Sequence, residues 1–206
     1  MKICTTIDEI ICLLKDYRTK NIKTGMVPTM GALHAGHISL VEKSVSENDI
    51  TIVSIFVNPI QFNNPKDLKN YPRTLEKDLE MLDKTKCDII FSPNAKEMYP
   101  EKDNIQFNFG DLGSVMEGKF RPGHFNGVAI IVKKLFDIVK PDSAYFGKKD
   151  FQQLAIIKAL VKEIKSPVRI VSCKTIREDD GLAMSSRNTL LSQEQRKKAP
   201  MIYKIL

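Results

Sequence analysis

GMVPTMGALHAGHISLVEKSV, residues 25–45, runs from a short apolar segment through a small-residue turn bearing two histidines into a helical pattern. Residues 25–29 read as a short buried strand. From Gly36 to about Glu47 the apolar Ile38, Leu40 and Val41 recur as they do on one side of a helix. Between them lies MGALHAGH, residues 30–37, holding two of the chain's three histidines. In open α/β sheets ligands sit beyond the C-terminal ends of strands, where this turn falls. Its glycines let backbone approach a ligand closely, and a helix N-terminus presents unpaired N–H groups and positive potential to phosphate. Two imidazoles beside such a site can donate to phosphate oxygens during phosphoryl or nucleotidyl transfer. A metal centre is the weaker reading, since the pair lacks both a third nearby histidine and an H-E-x-x-H pattern.

The alternation continues outward from this unit. Upstream, Thr6 is a candidate N-cap for an amphipathic helix carrying Ile7, Ile10, Ile11 and Leu14. Downstream, TIVSIFV (51–57) reads as a strand, 73–84 as a helix and 88–91 as a short strand. A long apolar-striped helix at about 125–139 precedes a strand at 143–146, a helix at about 150–164 and a strand at 168–174. Strands separated by helices of this length favour right-handed parallel crossovers, so the expected fold class is α/β, a doubly wound, Rossmann-like parallel sheet.

Composition narrows the function class. A chain of 206 residues with 42% hydrophobic and 28% charged residues has the make-up of a soluble globular protein. No run approaches the roughly 18 apolar residues that cross a bilayer, and the N-terminus lacks a secretory pattern, so a cytoplasmic protein without membrane partners is expected. Cys4, Cys12, Cys87 and Cys173 show neither C-x-x-C nor zinc spacing and are expected to be reduced packing residues. The net charge of +7 is spread over scattered lysines, and the one dense run, Arg196 to Lys198, is too short for a polybasic arm. No nucleic-acid partner is therefore expected.

H-x-G-H at His34–His37 resembles the signature of the nucleotidyltransferase and class I aminoacyl-tRNA synthetase superfamily, where it meets ATP phosphates and a second, K-M-S-K-S-like loop closes from the far side. GLAMSSRN (181–188) occupies the corresponding place, with hydroxyls from Ser185 and Ser186 and a guanidinium from Arg187. More specifically, VPTMGALHAGH, IFVNPIQF, YPRTLEKDLEML, MYP, RPGHFNGVA, YFGKKDFQQL and REDDGLAMSSRN, in this order from about residue 25 to 188, resemble the pantoate–β-alanine ligase family.

That resemblance places an ATP site on Met30, Gly31, Ala32, Leu33, His34, Ala35, Gly36 and His37, on Gly147, Lys148, Lys149 and Asp150, on Ile176, and on Met184, Ser185, Ser186 and Arg187. Of these, Lys148 lacks an individual counterpart and is expected to be a solvated charge. His37, His34 and Lys149 are the implied catalytic residues, with His37 matching the family's proton donor. Pro28, Thr29, Asn58, Gln61 and Gln153 are the implied substrate contacts; Gln61 would meet both pantoate and β-alanine, and Gln153 pantoate from the opposite wall. Asn58 and Gln61 are neutral amides suited to hydroxyls and a carboxylate. Arg121 and His124 would border the site, His124 in a structural hydrogen-bonding role.

The implied reaction has two steps. The pantoate carboxylate attacks the α-phosphorus of ATP to give an acyl adenylate and pyrophosphate, with Mg²⁺ as counter-ion, and the amine of β-alanine then displaces AMP. The metal ligands stay open. A homodimer is implied, with 116–136 as a candidate contact and equally a core helix. The implied domains are 1–175, binding ATP and pantoate, and 176–206, the start of a truncated C-terminal lid carrying the M-S-S-R loop. A missing lid predicts poor or uncoupled turnover. The alternatives are another adenylyl- or cytidylyltransferase, which leaves FVNPIQF and KKDFQQ unexplained, a noncatalytic ATP-binding fragment, and, last, an RNA-binding module.

Overall fold

The computed structural model describes residues 1–205, whose elements, contacts and cavity are as follows. In chain order the elements are β1 (Lys2–Cys4), α1 (Ile7–Thr19), β2 (Thr24–Thr29), α2 (Ala35–Glu47), β3 (Ile50–Ile55), α3 (Pro65–Asn70), α4 (Leu75–Asp83) and β4 (Ile89–Phe91). Then come α5 (Ala95–Met98), α6 (Asp111–Ser114), α7 (Glu117–Phe120), α8 (His124–Val139), β5 (Ser143–Gly147), α9 (Phe151–Glu163), β6 (Arg169–Cys173), α10 (Gln193–Lys198) and α11 (Met201–Ile205). The strands form one sheet in the order β1-β4-β3-β2-β5-β6, every pairing parallel. From the central β2 the chain proceeds to β3 and β4 on one side and to β5 and β6 on the other. The C-terminal ends of β2 and β5 therefore flank the crevice where such sheets bind ligands.

Side chains alternate across a strand, so each strand feeds two cores. Met26, Ile52, Ile89 and Ala144 join α1, α8 and α9 on one face. Their neighbours Val27, Val53, Ile90 and Tyr145 join α2 and α4 on the other. The doubly wound reading thus holds, and the long helix at 125–139 is the central one, eleven residues of α8 being buried. Its ends are set by Gly123 and Lys140, both at positive φ, with Pro141 preventing continuation. Thr6 caps α1 as expected, in a reciprocal capping box with Glu9.

The sequence reading differs from the structure at short elements. It begins the fold at α1 and lacks β1, a three-residue edge strand paired with β4 of which only Cys4 is buried, too short to show a period. Four short helices, α3, α5, α6 and α7, lie outside that reading as well, because four to six residues cannot display a helical stripe.

Gly25 in β2 lets α2 approach the sheet. A β-carbon there would run into Ser44 Oγ and Asn48 Nδ2. Neither can easily retreat: Ser44 Oγ shares a hydrogen bond with Thr51 Oγ1 at 2.8 Å, and Asn48 Nδ2 donates to Tyr145 Oη at 2.7 Å. Gly25→Ala should lower stability by about 1–3 kcal/mol, the usual cost of overpacking. Urea unfolding checks this as a lower midpoint at unchanged slope; a wild-type midpoint would contradict the tight contact.

Candidate active site

The turn between β2 and α2 is shaped by a residue the sequence reading did not select. Gly31 and Ala32 take positive φ angles of 78° and 49°. Asp78, sealed on α4, accepts Ala32 N–H at 2.9 Å and Leu33 N–H at 2.8 Å, and Thr74 Oγ1 donates to it at 3.2 Å. A left-handed alanine costs about 1–2 kcal/mol, while hydrogen bonds to a charged acceptor contribute about 1.5–3 kcal/mol each. The carboxylate wins, so the turn is pinned. A β-carbon on Gly31 would also crowd Asp78 Oδ2 at 2.9 Å.

The turn delivers His34 to the N-cap of α2. Its Nδ1 accepts Gly36 N–H at 3.1 Å, while His37 Nδ1 accepts His34 N–H at 3.3 Å, a capping box built from two imidazoles. The ring centroids lie 4.1 Å apart. Gly36 is needed for this, since a β-carbon there would meet the His34 ring at 2.8 Å. With both Nδ1 atoms accepting, each neutral ring carries its proton on Nε2. Burial, then the His34 ring and Lys149, push the His37 pKa down to about 3. Burial and Lys149 lower that of His34, against Asp150 and Glu178. With both Nδ1 atoms accepting backbone N–H groups and both rings disfavouring a second proton, each imidazole presents Nε2–H as its donor.

Pro28, Thr29, Met30, His34 and His37 line a cavity of about 690 Å³, joined by Asn58 and Gln61 after β3, Lys149, Asp150 and Gln153 after β5, and Ser185, Ser186 and Arg187. Gly31, Ala32, Leu33, Ala35 and Gly36 form the turn and helix start behind the histidines, and Gly147 ends β5. Lys149 lies 3.9 Å from Asp150 in a loose pair. Lys148 is exposed and is not part of the cavity wall, as befits a solvated charge. Ile176 and Met184 also stay off the wall; Met184 N–H bonds Ile176 C=O at 3.0 Å and so holds the M-S-S-R loop. A β-carbon on Gly36 would come within 3.8 Å of Met184 Cβ, which places that loop over the start of α2. Arg187 pairs with Asp67 at 3.1 Å and lies over the Tyr71 ring.

Not every expected contact has free polar atoms. Asn58 Nδ2 donates to Gln61 Oε1 at 3.0 Å and to Gly127 C=O at 3.1 Å, while its Oδ1 accepts Tyr99 O–H at 2.8 Å. Its amide is committed to positioning Gln61. Gln61 Nε2 reaches Met30 Sδ at 3.1 Å, a weak acceptor readily exchanged for a ligand oxygen. His124 donates from Nδ1 to Gln61 C=O at 2.8 Å, the structural bond expected of it. Gln152 and Gln153 divide the work: Gln152 is buried and bonds Leu112, Val115 and Glu117 backbone, whereas Gln153 makes no side-chain hydrogen bond among the described residues. Tyr71, buried against Ser186, is a further wall residue the sequence reading missed. Asp78 left a trace: a carboxylate on the α4 stripe with Leu75, Leu79 and Leu82.

A sequence model of the family Pantoate-beta-alanine ligase matches residues 2–206. Pantothenate synthetase from Bacteroides fragilis is 53% identical over 206 residues, covering 100% of this chain and 73% of that protein. The Bacteroides thetaiotaomicron pantothenate synthetase is 54% identical over 199 residues, 97% of this chain and 71% of that one. Among solved structures, the pantothenate synthetase of Thermus thermophilus superposes with a TM-score of 0.94 at 45% identity, covering 100% of this chain and 73% of its own. Francisella tularensis pantoate-beta-alanine ligase, solved in complex with β-γ ATP and β-alanine, gives 0.94 at 43% identity, with 99% and 78% covered. With the imidazole pair, the amide wall and the arginine loop on one cavity and likeness over its whole length, this chain belongs to the pantoate–β-alanine ligase family.

Proposed function

We propose that this protein condenses (R)-pantoate with β-alanine to pantothenate, using ATP and forming AMP and pyrophosphate through a pantoyl adenylate. The observation that carries the reading is the pair of imidazoles locked with Nε2–H outward at a helix N-terminus beside Lys149. ATP would lie on the turn 30–37 with its adenylate half toward Gly147, Asp150 and the M-S-S-R loop. Gln61 and Gln153 would hold pantoate from opposite walls, with Asn58 fixing Gln61 and Pro28 and Thr29 forming the floor.

A pantoate carboxylate oxygen attacks the α-phosphorus, and the bond to the bridging oxygen breaks with its electron pair leaving on pyrophosphate. Charge grows on that oxygen, and donors already aimed there lower the barrier without reorganising. His34, His37 and Lys149 are those donors, acting by hydrogen bonding and charge. The proton-donor role that the family resemblance implies for His37 would require the bound polyanion to raise the basicity of this ring from its low resting value. The amine of β-alanine then attacks the acyl carbon, and AMP leaves. No covalent protein nucleophile is needed: burial raises the pKa of Cys4, Cys87 (to about 12) and Cys173, keeping these thiols protonated.

No group of three or more His, Cys, Asp or Glu that could hold a metal ion occurs among the described residues. That fits Mg²⁺ held mainly by phosphate oxygens and water, with the exposed Asp150 on the cavity wall as its protein carboxylate. Mg²⁺ would neutralise phosphate charge. Further parts of the reading are a homodimer using the exposed Met116 and Phe120 near the cavity mouth, a cytoplasmic location, and division at residue 175 between the sheet domain and the segment bearing the M-S-S-R loop. Among the described residues, no helix is long and apolar enough to cross a membrane. A purely nucleotide-binding fragment is the weaker reading, because both substrate walls are assembled around the phosphate turn.

The tautomers are directly testable. In ¹⁵N-histidine-labelled protein at neutral pH, long-range ¹H–¹⁵N correlation should show His34 and His37 protonated on Nε2 and His124 on Nδ1. An Nδ1–H signal from His37 would contradict the capping box. Pantoate-dependent exchange of labelled pyrophosphate into ATP tests the chemistry. It should occur in the wild type and fall roughly 10²-fold or more in His37→Ala, the scale of a lost charge-stabilising donor. Exchange without pantoate, or full exchange in the variant, would overturn the assignment.

A further inference from the structure

The histidine that holds the Gln61 turn has a second nitrogen unused by the reaction described above. His124 opens α8 and is 6% exposed. Its Nδ1–H is spent on Gln61 C=O, which fixes the neutral ring as an acceptor at Nε2. Nε2 has no hydrogen-bond partner among the described residues. It is also not sealed, for the one sealed and unpartnered side-chain polar atom among them is Ser54 Oγ. His124 lines the same cavity as Gln61, His37 and Gln153. Gly127, one helical turn on, holds the start of α8 against the Gln61 backbone so closely that a β-carbon would lie 2.7 Å from Gln61 Cα, which keeps the Nδ1 bond to Gln61 C=O short at 2.8 Å.

We propose that His124 is a catalytic residue of the second half-reaction, its Nε2 accepting the proton that the β-alanine nitrogen sheds as the amide forms. The inference rests on the reading that Gln61 meets both pantoate and β-alanine, since His124 is bonded to Gln61 itself. As the neutral amine adds to the acyl carbon, the C–N bond forms and nitrogen becomes cationic. Its proton passes to Nε2, and the C–O bond to phosphate breaks with its electron pair leaving on AMP. The imidazolium then returns the proton to water. A weak base suffices, because the nitrogen is acidic only once bonded to carbon. The surroundings keep the resting ring unprotonated: burial pushes its pKa down, opposed by the Gln61 carbonyl, with Arg121 and Arg187 lowering and Glu117 raising it. His34 and His37 cannot take this role as they stand, since their Nε2 atoms carry protons.

His124→Asn separates the two nitrogens. Asparagine places an amide N–H where Nδ1–H sits, retaining the bond to Gln61, and removes Nε2. Pantoate-dependent pyrophosphate exchange reads the first half-reaction and folding together. Single-turnover transfer of enzyme-bound pantoyl adenylate to β-alanine reads the second. The expected result is exchange within about twofold of wild type, and transfer at saturating β-alanine slowed roughly 10²-fold or more with the half-saturating β-alanine concentration unchanged. Wild-type transfer in the variant, a loss confined to β-alanine affinity, or equal loss of both half-reactions would overturn the assignment and leave His124 as a positioning residue. Absence of exchange in the wild type would instead sink the proposed function.

Discussion

Asp78 accepts the N–H groups of Ala32 and Leu33 from beneath the turn between β2 and α2, and the geometry of the imidazole pair follows from those two bonds. Without them a positive-φ alanine next to a positive-φ glycine would relax toward ordinary backbone. His34 would then lose its place as N-cap, and the two imidazoles their fixed tautomers. The carboxylate is itself compensated by three donors and by its place near the N-terminus of α4, where the helix dipole favours negative charge.

The opposite wall is organised by the first turn of α8. Gly123 at positive φ lets the chain enter the helix, His124 takes the Gln61 carbonyl, and Gly127 supplies a close backbone surface and a carbonyl for Asn58. Tyr99 closes the network on Asn58 from α5's end. Each polar atom of this network is paired inside the protein except those facing the cavity, so the amide wall is preorganised before substrate arrives. Adjacent glutamines show the same economy: Gln152 anchors α6 and α7, while Gln153, on the cavity wall, has no side-chain partner among the described residues.

Much of this was legible in the residues. Elements of nine or more residues declared themselves by period, and parallel topology followed from their alternation; β4 survived as IIF because all three residues are buried. H-x-G-H marked the turn that pairs the two imidazoles because its geometry is local, four residues on one helix start. What stayed hidden depends on partners far apart in sequence. Asp78 lies 45 and 46 residues from the amides it holds, and only its position on an otherwise apolar stripe marked it. Asn58 has the composition of a ligand contact, yet its partners at 99 and 127 consume its polar atoms. The protonation state of the histidines likewise emerges only from which nitrogen each backbone amide meets.

The central claim is that Asp78 sets the turn proposed to bind the ATP phosphates, and calorimetric titration of ATP into Asp78→Asn against wild type tests it most directly. Asparagine keeps the volume but accepts one N–H and turns its own N–H toward the other. Binding should weaken by at least about tenfold, the roughly 1.4 kcal/mol expected from losing a charged acceptor, in protein whose thermal transition remains cooperative. Wild-type affinity in that variant would show that the turn holds its shape unaided and would contradict the account.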